Sequence, residues 1–131
     1  MNIIKIHNTL YKYESFWRPT KKKTYDYHNK LLPFPEKQKP WQFQKNFINR
    51  LSNVQKYLMT NQNFIKYDRD EYKNCLICGK KNITTGVYQI KNIRWEDGLL
   101  HYIKSHNIKP SKKFIDLIFS YSYNGKFSPI N

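Results

Sequence analysis

Cys75 and Cys78 are separated by two residues in "NCLICGKKN", and His101 and His106 by four in "GLLHYIKSH", so the chain carries the pattern C-x2-C-x22-H-x4-H. Thiolate and neutral imidazole are the two donors that zinc favours, and four of them fill a tetrahedral site. Gly79 directly follows the second cysteine, where a turn that aims two thiolates at one ion commonly needs a positive φ. Two thiolates and two neutral imidazoles cancel the charge of Zn2+ and leave no open position for water or substrate, so the expected role is structural. A redox dithiol would sit at a helix N-terminus within a βαβ unit, which "GKKNITTG" does not resemble. A metal-dependent nuclease would need a base beside an open metal position, so no catalytic residue and no enzyme activity is expected.

The elements that must position these donors can be read from spacing. "NITTGVYQIKNIRW" is β-branched and aromatic and predicts a β-hairpin. Asp97 suits the start of a helix in which Leu99, Leu100, Tyr102 and Ile103 recur at helical spacing beside His101 and His106, and Pro110 ends it. Five residues rotate an ideal helix by about 140°, so both imidazoles reach one ion only if the helix loosens near its end. The spacing of Phe47, Ile48, Leu51, Val54 and Leu58 predicts a helix over about 41–60 that starts at Pro40, with Lys45, Arg50 and Lys56 on its outer face. Ser111 suits the cap of a last helix over about 112–121, and "NGKFSPIN" reads as a short extended end.

The expected fold class is α+β: a zinc knuckle, a hairpin and a two-histidine helix forming a unit at 72–119 inside one domain at 41–131. Residues 1–40 read as an extended, basic, Pro- and Lys-rich arm, with loose alternation at "IKIHNTLYKY" and four of the six prolines between Arg18 and Pro40. Asn61 to Asn74 reads as a loop leading into a strand, and its Asp68, Asp70 and Glu71 as solvated surface. His7 and His28 read as ordinary surface histidines.

The net charge of +15 favours polyanions. Twenty of the 24 basic residues are Lys, however, and Lys, Asn, Ile and Tyr have codons rich in adenine and thymine, so base composition accounts for part of the excess. The cations that would meet nucleic acid are Lys21, Lys22 and Lys23 on the arm, and Lys80, Lys81, Lys91, Arg94, Lys104, Lys112 and Lys113 around the zinc unit. Four Arg are few for base readout, so phosphate contact without sequence specificity is expected. Tyr88, Trp95 and Tyr102 would stack on bases if exposed, but core packing is the expected role. The other reading is a structural or adaptor protein, because 17% aromatic content suits protein interfaces and the charge is spread along the chain. No apolar run reaches the ~20 residues of a membrane span, and the first residues lack a secretory h-region, so a reducing compartment is expected.

At "CLICG", "GVY" and "IRWEDGLLHYIKSHNIKPSKKFIDLI", over about residues 72–119, the sequence resembles small zinc-finger-like proteins of giant nucleocytoplasmic DNA viruses of the mimivirus type. The resemblance implies a zinc-bound fold, a viral origin and action in the cytoplasmic virus factory or the virion, among nucleic acid or other viral proteins.

Overall fold

The computed structural model describes residues 1–122, so the "NGKFSPIN" segment lies outside the described residues. They form an α+β fold with the strands β1 (Asn2–Ile6), β2 (Thr9–Glu14), β3 (Phe64–Lys66), β4 (Gly86–Ile90) and β5 (Ile93–Glu96) and the helices α1 (Gln44–Thr60), α2 (Leu99–His106) and α3 (Lys112–Ser120). One mixed sheet has the order β1-β2-β5-β4-β3; β2 runs parallel to β5, and the other neighbours are antiparallel.

The sheet presents one face to the helices. Tyr88, Ile90 and Trp95 project there and pack with Phe47, Leu51, Val54 and Leu58 of α1, Leu99 and Ile103 of α2, and Phe114 and Ile118 of α3. Each large apolar side chain buried in this way gains roughly 1.5–3 kcal/mol. Trp95 is the centre of this core: it is fully buried, stacks on Tyr88 at 5.7 Å, meets Phe114 edge-on at 5.0 Å and donates its indole N–H to Gln55 at 3.0 Å. The sheet's period of two turns Arg94 and Glu96 to the opposite face. There Glu96 accepts from Tyr67 and pairs with Lys73, each at 2.7 Å.

The helices and the hairpin follow the sequence closely, with local shifts at their starts. α1 begins at Gln44 rather than at Pro40, because residues 41–44 make a turn in which the Gln44 side chain accepts the Trp41 N–H. Ser111 caps α3 by accepting from the Phe114 N–H, as its position predicts. Asp97, in contrast, does not cap α2, whose cap is Gly98. The Asp97 carboxylate instead accepts from the backbone of Thr85 and Gly86 and from the Thr85 hydroxyl, closing the open end of the β4–β5 hairpin. The segment before Cys75 also reverses the expected order: β3 comes first, a 3-10 turn at Arg69–Glu71 follows, and only the isolated bridge Lys73↔Thr84 precedes the knuckle.

The N-terminal residues are not an arm apart from the fold. β1 and β2 form a hairpin with His7 and Asn8 at its turn, and β2 is held by β5 through Lys12↔Ile93, Tyr13↔Arg94 and Glu14↔Trp95. The alternation at "IKIHNTLYKY" is thus that of a local hairpin, whose second strand has a further partner about eighty residues away that no local signal encodes. Residues 15–43 are irregular but tied down. Asp26, which is buried, accepts from the Asn2 side chain and from the N–H groups of Ile3, His28 and Lys30, fastening this segment along β1.

Burial pushes the Asp26 carboxyl up, but the hydrogen bonds from Asn2, Lys30, Ile3 and His28 outweigh it and hold the group at about 2, below its ordinary 3.8. A depressed carboxyl stabilises the fold fully above its unfolded pKa and loses that contribution as pH falls toward the folded value. Asp26→Ala should therefore cost ~1–3 kcal/mol at neutral pH and flatten the loss of stability between about pH 4 and pH 2, as read by urea unfolding. Equal acid sensitivity in both proteins would show that this fastening contributes nothing.

Candidate metal centre

The knuckle is built by its own backbone. The Gly79 N–H donates to the Cys75 carbonyl at 3.0 Å and the Cys75 N–H to the Lys80 carbonyl at 2.8 Å, and Gly79 takes φ +76°, the left-handed value that its lack of a Cβ permits. The Cys75 sulfur accepts from the N–H groups of Ile77 and Cys78, both at 3.4 Å, which fixes where it points. The Asn74 side chain accepts from the Asn82 N–H at 3.0 Å and closes the loop behind the knuckle.

α2 supplies the other two donors, and Tyr102 joins it to the knuckle. This buried tyrosine lies between the two histidines in sequence, and its hydroxyl accepts the Leu76 N–H at 2.9 Å. Cys75, Tyr102 and Ile108 form a small apolar cluster with Trp17, Ile77 and Ile83 packed around it, and Trp17 meets Tyr102 edge-on at 5.3 Å. His106 is the last residue of α2, and Asn107 beyond it turns left-handed at φ 57°. The helix therefore ends where the second imidazole must swing toward the first, and the two rings stand 5.2 Å apart.

The four donors converge. Cys75 Sγ lies 3.4 Å from His106 Nε2, Cys78 Sγ lies 3.4 Å from His101 Nε2, and all four ligand atoms fall within 4.8 Å of one another. Zn–S of about 2.3 Å and Zn–N of about 2.0–2.1 Å at a tetrahedral angle place sulfur and nitrogen roughly 3.6 Å apart, close to the observed separations. Cys75 and His106 are buried, His101 is half-buried and Cys78 is exposed, so the cluster lies at the edge of the fold. Burial, with His106 and Lys80 nearby, pushes the His101 pKa down and favours the neutral imidazole that a metal requires. These residues could hold one metal ion with all four positions filled by protein.

The other residues singled out from sequence fall as follows. Lys21, Lys22, Lys23, Lys80, Lys81, Lys91, Lys104, Lys112 and Lys113 are all exposed, with Lys112 in an exposed ion pair with Asp116. Arg94 differs in placement from the surface cation expected: it is buried, donates to Gln89 at 2.8 Å, reaches the Tyr13 hydroxyl and lies 3.7 Å from the Tyr11 ring centroid, so its guanidinium is engaged within the sheet. Its position on β5 beside β2 makes it internal, and that pairing is invisible locally. Tyr88, Trp95 and Tyr102 are buried, as core packing requires, while His7 and His28 are exposed. Asp68, Asp70 and Glu71 also bring ligand oxygens within reach of one another, but all three are exposed, as solvated carboxylates commonly are. What sequence reading missed is the fastening role of Tyr102 and Asn107; only tertiary partners reveal it.

Cys78→Ser should lower the bound metal to well below one ion per chain and destabilise residues 75–119 by several kcal/mol, measured by elemental analysis and thermal unfolding. Full metal content together with an unchanged melting temperature would rule out Cys78 as a ligand. No protein-family model, no curated protein and no solved structure matches the chain.

Proposed function

We propose that Cys75, Cys78, His101 and His106 hold one structural zinc ion, and that the protein built around it binds nucleic acid through phosphate contacts with little sequence specificity. The donor set and its spacing support zinc, since thiolate and imidazole at tetrahedral separation suit that ion best. A site filled by four protein donors keeps no position for water, and the reading is accordingly non-enzymatic.

The observation that carries nucleic-acid binding is how the fold sorts its charges. Every described lysine is exposed, whereas Glu14, Asp26 and Glu96 are buried and Asp97 is used to close the hairpin. The charged groups that a polyanion would meet first are therefore mostly lysines, on a chain whose net charge is already +15. Part of that field surrounds the metal end: Lys80 and Lys81 follow the knuckle directly, and Lys104 lies one turn beyond His101. With Arg94 buried, bidentate guanine readout has still fewer candidates, which favours phosphate over base contact.

A second reading, a zinc-stabilised structural or adaptor protein, is favoured by exposed Phe43 and Phe119, since Phe119 packs at 5.6 Å on Phe47, one helical turn after Phe43. In either reading, the setting implied by the viral resemblance is the virus factory or the virion.

The test is a salt titration of binding to generic duplex DNA. Affinity should fall steeply as salt rises, because neutralised phosphates release counterions. Lys80→Gln/Lys81→Gln/Lys104→Gln should weaken binding and make the slope shallower by about one for each phosphate no longer neutralised. Absence of DNA binding at low salt would favour the adaptor.

A further inference from the structure

Next to the metal centre lies an open cavity of about 930 Å³ that neither the zinc nor the duplex-binding reading uses. Trp17, Phe34 and Trp41 line it, so aromatic surface is its main apolar feature. Lys37, Lys39 and Lys109 line it as well, all exposed, against a single carboxylate from Glu36. The Lys109 ammonium lies 5.7 Å from the Trp41 ring centroid, so cation and indole already share one wall. Aromatic rings interleaved with ammonium groups suit a ligand with a flat π-face and an attached anion, and neither an apolar ligand nor a bare anion uses both.

The cavity wall is also tied to the metal-binding helix. The Gln38 N–H donates to the His106 carbonyl at 2.9 Å, and the Asn107 side chain donates to the Gln38 carbonyl at 3.1 Å. Gln44, at the start of α1, in turn donates to Asn107 Oδ1 and to the Ile103 carbonyl, each at 2.9 Å. The irregular segment carrying Lys37 and Lys39 is therefore laced to the end of α2 at His106 and at the left-handed Asn107. Its shape is preset before any ligand arrives, which lowers the ordering cost of binding.

We propose that this cavity takes a nucleoside phosphate unit, its base against Trp17 and Trp41 and its phosphate among Lys37, Lys39 and Lys109. The unit comes either from an unpaired stretch of a nucleic-acid strand or from a free nucleotide. The strand source rests on the nucleic-acid reading above; the free-nucleotide source does not. Duplex DNA is excluded from the cavity, because its bases are stacked and paired, so occupancy predicts a preference for single strands.

The experiment uses the metal-loaded full chain, with adenosine monophosphate, a ten-nucleotide single strand and a duplex of equal length as probes. Trp95 is fully buried, so fluorescence quenching by a ligand reports on Trp17 and Trp41. The single strand should bind roughly tenfold or more tighter than the duplex, the gain that about one stacked base provides. Lys37→Gln/Lys39→Gln/Lys109→Gln should abolish that preference while metal content and melting temperature stay unchanged. Competition by adenosine monophosphate that depends on the same lysines identifies a free nucleotide as a further ligand. Equal single-strand and duplex affinity, unaltered by the triple variant, would overturn the proposal and leave the duplex-binding reading standing. If neither nucleic acid binds, the nucleic-acid reading fails, and the cavity proposal then stands on lysine-dependent quenching by adenosine monophosphate and falls without it.

Discussion

Two sulfurs on a tight turn and two imidazole nitrogens on a helix meet within one small sphere, a constraint that the hairpin, α2 and the core behind them must jointly satisfy. Cys75 and Cys78 can approach His101 and His106 only if the knuckle is held against α2, which the Tyr102 hydroxyl does by accepting the Leu76 N–H. α2 in turn can stand there only because the β4–β5 hairpin delivers Trp95 into a core shared by all three helices. The Asp97 carboxylate closes the hairpin one residue before Gly98, so the sheet ends directly where the helix starts. A metal ion bound by the four donors would therefore cross-link the knuckle to the core across the whole length of the intervening hairpin.

The second constraint is electrostatic. A chain with so few carboxylates uses several of them for internal fastening: Glu14 accepts from Ser111 at the start of α3, Asp26 ties the irregular N-terminal segment to β1, and Glu96 receives Tyr67 and Lys73. A buried carboxylate is tolerable only with such partners, since its desolvation must be offset by directed hydrogen bonds. The same economy leaves the lysines facing water with few exposed counter-charges. Stability and surface potential are therefore linked through the same few residues.

The irregular stretch between β2 and α1 is tied at both ends. Near its start, Asp26 joins it to β1; near its end, Gln38 meets the carbonyl of His106 and the side chain of Asn107. This segment carries an aromatic and basic wall without belonging to any helix or strand, and its order comes from side chains of other elements. The donor cluster and that wall share one residue, since His106 offers its ring to the first and its backbone carbonyl to the second.

Residue order dictates the local features. The stripe of α1 at Phe47, Leu51, Val54 and Leu58, the Ser111 cap of α3, the hairpin around Lys91 and Asn92, and the knuckle with Gly79 behind it all rest on interactions among residues a few positions apart. Each donor pair was legible in the same way, while the joining of the two pairs across 22 residues was read from residue type, since thiolate and imidazole are donors that one metal ion could take together. It took the closed fold to make residues 2–14 part of the sheet, to turn Arg94 inward, and to assign Asp97 to the hairpin while Gly98 caps the helix. Each of those outcomes depends on a partner distant in sequence or on a competition between two nearby acceptors. In every case, what an isolated stretch of chain cannot specify is which donor reaches a carboxylate, or which strand lies beside another, once the core has closed.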